Sequence, residues 1–93
     1  MLLPACASDR ATPHASLAST WRDYLALPTE RALAIAGDPR RVTWVAGASG
    51  GHATREEAET EALARCQQQR QLRRMRAECV LYAVRDEIVW RGR

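Results

Sequence analysis

A capped helix with a stripe of small residues is the feature that most constrains how this chain folds. Thr54 and Glu57 have the spacing of a capping box, in which the threonine hydroxyl accepts a hydrogen bond from the amide three residues later. Downstream, apolar residues recur at helical spacing and predict one buried stripe: Ala58, Ala62, Leu63, Cys66 and Leu72. Because most of these side chains are small, we expect the helix to pack close against a sheet.

A first β-hairpin is predicted before this helix, in the stretch RALAIAGDPRRVTWVAG. Leu33 and Ile35 alternate with alanines, and Trp44 lies in a second alternating run. The letters GDPR between the two runs supply the glycine and proline of a turn. The alanine-rich first strand predicts the close approach of a neighbouring element.

A second hairpin is predicted after the helix, in ECVLYAVRDEIVW. Apolar residues continue through two runs that the polar letters RDE interrupt. If Cys66 faces the sheet, the two-residue period of a strand predicts that one set of side chains faces the helix: Cys79, Leu81 and Ala83.

A short amphipathic helix is predicted near the N-terminus, in SLASTWRDYLALP. Ser16 is a candidate N-cap and Pro28 ends the run. Its predicted apolar stripe consists of Leu17, Trp21, Tyr24 and Leu25. The elements together predict an α+β domain over residues 16–93: an antiparallel sheet of two hairpins with the Thr54 helix on one face, preceded by the short helix.

Length and composition set further bounds. The chain has 93 residues, enough for one small domain, and no apolar run approaches the roughly 18 residues of a membrane span. The formal net charge of +3 comes from arginine alone, because the sequence contains no lysine. This skew also accompanies a G+C-rich genome, so by itself it does not indicate a nucleic-acid partner.

The first residues, MLLPACASDR, resemble the lipobox of bacterial lipoprotein precursors. Leu3, Pro4 and Ala5 occupy the positions before Cys6, the residue that such precursors lipidate. Pro4 is unusual there, and the basic and apolar regions of a signal peptide do not precede it. The resemblance implies that residues 1–15 are a leader remnant and tether, and that Cys6 attaches the protein to a membrane. A chance cysteine in an ordinary N-terminus is the alternative.

The cysteine count depends on that interpretation. If Cys6 is lipidated, Cys66 and Cys79 remain as an even pair, and in an oxidising compartment they are expected to form a disulfide. Buried, reduced thiols in a cytosolic core are the alternative.

Arginines concentrate after the middle of the long helix. Arg70, Arg73, Arg74 and Arg76 lie in and just after a glutamine-rich stretch and form a candidate site for an anionic partner. The alternative is a solvated face, because acids at the start of a helix and bases at its end complement the helix dipole.

Catalytic, metal and phosphate patterns are incomplete. Cys66 with His52 lacks a recognisable nucleophile motif, and His14, His52 and the cysteines lack the paired spacing of zinc ligands. The segment GASGGHAT lacks a following Lys-Ser/Thr pair, and a cluster of acids at the start of the helix would repel an anion: Glu56, Glu57, Glu59 and Glu61. No enzyme activity, metal or cofactor is therefore predicted.

From Arg31 to Trp90 the chain resembles a loose group of small, exported, largely uncharacterised bacterial domains. The matching features are the ALAIA strand, the glycine segment, the helix with Cys66 and the C.LYAV…VW ending. This resemblance brings no known activity with it. Together with the lipobox and the incomplete catalytic patterns, the sequence predicts a non-catalytic protein on the periplasmic side of the cell envelope that binds an unidentified macromolecule. The alternative is a cytoplasmic domain that contacts RNA or an acidic protein through its arginines.

Overall fold

The computed structural model describes residues 12–91, which form two helices and a four-stranded antiparallel sheet. A 3-10 turn, Ala15–Leu17, leads into the first helix, and the elements in chain order are α1 (Ala18–Leu25), β1 (Ala32–Asp38), β2 (Thr43–Ser49), α2 (Arg55–Leu72), β3 (Val80–Val84) and β4 (Glu87–Ile88). The strand order is β2-β1-β3-β4, so both hairpins form and β1 joins them at the centre. The predicted α+β fold is confirmed.

The sheet is covered on both faces. Leu33 and Ile35 of β1 pack into one core cluster with α1, whereas the β1 alanines pack into a second cluster with α2. Alternate side chains of a strand point to opposite faces, so β1 divides its residues between the two cores. The short N-terminal helix therefore covers the face opposite to α2.

The backbone of α2 lies almost directly on that of β2. A Cβ atom added to Gly47 would overlap the backbone nitrogen of Cys66 and lie 2.6 Å from the carbonyl oxygen of Ala62. Opposite Gly47, the small side chain of Ala34 faces the same helix. The small residues on both elements allow this close approach, as the alanine-rich strand and helix predicted.

Gly47→Ala is expected to destabilise the domain by about 3 kcal/mol, because the added methyl group meets backbone atoms that no side-chain rotation can move. For a domain of this size, that loss lowers the melting temperature by roughly 10 °C or more. Gly51→Ala is the control, since its Cβ would meet nothing closer than 3.8 Å and the cost is only that of a backbone φ of +77°. Equal melting temperatures for the two variants would contradict the close contact.

The predicted stripe of α1 is largely correct. Leu17, Trp21 and Tyr24 are buried, but Leu25 is 40% exposed, and Leu27 packs against the cluster instead. The structure also corrects the predicted N-cap, because the first turn has no side-chain cap.

Ser16 has a tertiary role in place of the predicted cap. Its hydroxyl donates to the carbonyl of Pro39 at 2.7 Å and accepts from the indole nitrogen of Trp44 at 2.9 Å. The residue therefore ties the N-terminal turn to the first hairpin.

The ends of α2 show one confirmed and one wrong prediction. The Thr54 hydroxyl accepts from the Glu57 amide at 3.1 Å, as the capping-box spacing predicts. Leu72, however, is 75% exposed. At about 100° per residue, Leu72 lies some 240° around the helix from Cys66, and this rotation carries it away from the sheet.

A bulge in β3 overturns the predicted orientation of Ala83. The register with β1 shifts between the pairs Leu33–Ala83 and Ala34–Leu81, so Tyr82 is the extra residue. Leu81 and Cys79 pack on the α2 side as predicted, but Tyr82 and Ala83 both belong to the α1 cluster. The extra residue changes the two-residue alternation on which the prediction depended.

Crossed ion pairs fix the turn between β3 and β4. Arg31 pairs with Asp86, and Arg85 donates to both carboxylate oxygens of Glu30 at 2.7 and 2.9 Å. The hydrogen bond from Arg85 lowers the pKa of Glu30. The hydroxyl of Tyr24 lies 2.8 Å from the Arg85 carbonyl, and burial raises the pKa of this phenol. The segment before β1 is thus joined to the β3–β4 turn by two adjacent ion pairs.

Candidate functional site

A disulfide joins α2 to the segment before β3. Cys66 is fully buried in the α2 cluster, and it is bonded to Cys79 with a Cα–Cα distance of 6.1 Å, within the usual range for such bridges. The predicted pairing is therefore confirmed. The close seating of α2 on the sheet brings the two residues together, because Cys66 passes over Gly47 while Cys79 leads into β3.

Reduction of this bridge is expected to lower the stability by about 3 kcal/mol and the melting temperature by roughly 10 °C or more, because the bridge restricts the unfolded chain. Cys79→Ala should produce a similar loss. The Cys66→Ala/Cys79→Ala double variant should lose little more than the single one, since both changes break the same bond. If reductant leaves the melting temperature of the wild type unchanged, the assignment of a stabilising disulfide is contradicted.

The four arginines of the candidate anion site have different environments. Arg70 is half-buried, and its guanidinium donates to the carbonyl of Ala77 at 2.6 Å and that of Arg76 at 3.4 Å. Arg70 therefore closes the loop that follows α2. The side chains of Arg73, Arg74 and Arg76 are exposed. Anion binding by these residues stays a prediction, in which the three exposed arginines are the accessible members.

Arg74 occupies a backbone conformation that favours glycine. Its φ is +55°, and it stands just beyond the end of α2. The amide of Met75 donates to the carbonyl of Arg70 at 3.0 Å and that of Arg74 to Gln71 at 3.1 Å, the pattern of a Schellman motif. An arginine side chain is thus placed at the helix end at some cost in backbone energy.

Arg74→Gly is expected to stabilise the domain by about 1 kcal/mol, because glycine adopts positive φ without a steric penalty. Arg73→Gly removes the same side chain at a φ of −92°, where glycine has no such advantage, and should be neutral or destabilising. Denaturant unfolding of the two variants measures the difference. If Arg74→Gly proves less stable than the wild type, the arginine side chain itself contributes to folding.

Both histidines make contacts within the fold, and neither belongs to a metal-binding cluster of the described residues. The Nδ1 atom of His14 lies 2.7 Å from the Tyr82 hydroxyl, and its ring contacts Trp90 edge-on. The backbone of His52 pairs with that of Glu30. Within residues 12–91, no group of three or more histidine, cysteine or acidic side chains is arranged to hold a metal ion. Cys66 has no free thiol in the bridged state.

The glycine segment before α2 packs against the connection between α1 and β1. Gly51 donates its amide to the carbonyl of Pro28 at 2.8 Å, and Gly50 faces Leu27. This amide is therefore occupied by the protein's own backbone. The glycines therefore permit a close backbone contact at this point of the fold.

An open groove along β2 is the feature that the sequence analysis missed. It encloses about 600 Å³ beside the strand, with Ser16 and Thr20 on one side and Gln69 and Arg73 on the other. Trp44 lies in the groove between them. No local motif signals this groove, because its walls come from α1, β2 and α2, which only the tertiary fold brings together.

The remaining prediction, lipidation of Cys6, lies outside the described residues. Between residues 12 and 91, neither helix combines the length and the hydropathy that crossing a membrane requires. No protein-family model, curated protein or solved structure matches this chain.

Proposed function

We propose that this protein is a non-catalytic binding domain of the bacterial cell envelope, attached to the membrane through Cys6 on the periplasmic side. The observation that carries the proposal is the Cys66–Cys79 disulfide. Disulfides persist in oxidising compartments, whereas the cytosol of most bacteria keeps thiols reduced. A small domain also gains a large share of its net stability from one such bridge.

A binding role is supported by what the domain exposes. The groove along β2 is open to solvent, and Arg73 lies in its wall. In contrast, Cys66, which the sequence analysis considered as a nucleophile, has its sulfur bonded to that of Cys79. The exposed features therefore favour contact with a partner macromolecule over chemistry on a small substrate.

The second candidate is a cytoplasmic domain that binds RNA or an acidic protein. The exposure of Arg73, Arg74 and Arg76 favours it. An anionic contact through these arginines is equally compatible with an envelope protein, whereas a stable disulfide is not expected in a cytoplasmic one. The state of the cysteines in cells thus separates the two candidates.

Lipid attachment is tested by expression from the genomic reading frame, with any upstream leader retained. The wild type should incorporate labelled fatty acid and fractionate with membranes, and Cys6→Ser should lose both properties. Ser8→Ala is the matched control and should label like the wild type. Equal labelling of the wild type and Cys6→Ser would refute attachment at Cys6.

The compartment is tested by alkylating the cysteines in intact cells without reductant, followed by mass spectrometry. An envelope location predicts that Cys66 and Cys79 are protected as a disulfide. Free alkylation of both cysteines in the intact cells would refute the export proposal and favour the cytoplasmic candidate.

A further inference from the structure

We propose that the outer edge of β2 binds an extended, acidic segment of a partner protein, which joins the sheet as an additional strand beside β2. This inference deepens the binding role proposed above by naming the surface and the chemistry of the partner. It depends on the geometry of the sheet and on the charges around the groove.

The first support is the direction of the β2 backbone groups. Among the described residues, β2 pairs with β1 alone and forms an end of the sheet. The carbonyl of Arg31, just before β1, accepts from the amide of Arg85 on the β3 side. Backbone groups of successive residues point to opposite sides of a strand, so those of Ala32 and Ala34 point toward β2. Ala34 pairs with Gly47, so the backbone groups of Gly47 point back toward β1. By the same alternation along β2, the backbone groups of Trp44, Ala46 and Ala48 point to the outer side.

An observed contact agrees with this assignment. The guanidinium of Arg65 donates to the carbonyl of Ala48 at 3.0 Å, from outside the sheet. A side-chain donor thus occupies the position that an amide of an added strand would otherwise take at this end of β2. The backbone groups of Trp44 and Ala46 lie further along the same edge.

The second support is that β2, apart from the Arg65 contact at Ala48, lacks the usual protection of an edge strand. Its seven residues, TWVAGAS, include no charged residue and no proline. At the opposite edge, β4 has only two residues, one of them Glu87. Proteins normally shorten or charge such edges, because a long apolar edge pairs with other chains. An unprotected edge opposite a protected one is consistent with a site for strand addition.

The third support is the groove that follows this edge. It reaches both faces of the sheet, since it is lined by Thr20 on the α1 side and by Gln69 on the α2 side. Alternate side chains of an added strand point to opposite faces, so each set would have a wall to contact. Val42, which is 83% exposed, supplies an apolar contact at the start of β2.

Charge selects the kind of partner. Arg73 lies in the groove, exposed Arg41 stands just before β2, and the described residues that line the groove include no acidic side chain. Arg65 contributes less, because Glu61 pairs with it at 3.0 Å. Two copies of this chain joined at β2 would bring their arginines together, whereas an acidic segment would be attracted.

The proposal is tested with acetyl-Glu-Val-Glu-Val-Glu-Val-Glu-amide and the purified, oxidised domain, followed by amide chemical shifts. Titration should shift the amides of Trp44, Ala46 and Ala48. Two modified peptides provide the decisive comparison: one is N-methylated at the glutamates and the other at the valines. An added strand whose glutamates face Arg73 donates from only one of these sets, and turning the strand over points the glutamates away from Arg73. One peptide should therefore bind about tenfold more weakly than the other or not at all.

Variants test the edge and the charge separately. Ala46→Pro removes an outward amide without breaking a bond to β1, so it should fold and lose peptide binding. Arg73→Glu should weaken binding about tenfold or more, whereas Arg22→Glu makes the same charge change at an exposed position outside the groove and should weaken it no more than about threefold. A lysine-valine peptide of the same length should not bind.

Three results would overturn the proposal. Equal affinity of the two N-methylated peptides would exclude strand addition. Amide shifts confined to the end of α2 would indicate simple charge attraction by its arginines. Dimers that form without peptide and that Ala46→Pro abolishes would assign the edge to a second copy of the chain. Failure of peptide binding leaves the Cys6 and alkylation tests of the envelope role intact, and failure of those tests leaves peptide binding intact.

Discussion

The close contact between α2 and the sheet is the constraint on which most of the structure depends. Gly47 lies directly beneath the backbone of Cys66, and alanines on α2 and β1 complete the contact. Small side chains contribute little apolar area each, so dispersion across two closely packed backbones supplies much of the attraction. The same proximity permits the bridge between Cys66 and Cys79, which secures the helix to the strand that follows it.

The close packing of α2 on the sheet also determines the form of the surface beside β2. Because the helix lies close to β2, its side chains Gln69 and Arg73 reach the edge of the sheet and form one wall of the groove. The opposite wall comes from the N-terminal turn, where Ser16 connects to Pro39 and Trp44. Core packing and the candidate binding surface are thus consequences of the same contact.

Most signals confined to one element or one hairpin were predicted correctly, with the Ser16 cap and the burial of Leu25 and Leu72 as the exceptions. The Thr54 cap, the Ala58–Ala62–Cys66 stripe, both hairpins and the buried Leu17, Trp21 and Tyr24 follow from spacing and alternation. Of the four candidate arginines, however, the sequence could not separate Arg70, which bonds to Ala77, from those that stay exposed. That difference arises because the chain turns back after α2 and brings carbonyl groups within reach of one guanidinium.

The sequence by itself determined the kinds of element and their order, because these depend on local periodicity, and it indicated Cys66 and Cys79 as a pair while leaving reduced thiols as the alternative. Only the tertiary structure decided the order of strands in the sheet, the covering of its second face by α1, and the bulge at Tyr82 that turns Ala83 away from α2. Strand order and register depend on pairings between distant residues. The open edge of β2 is likewise a property of the assembled sheet, since a strand has an edge only relative to its neighbours.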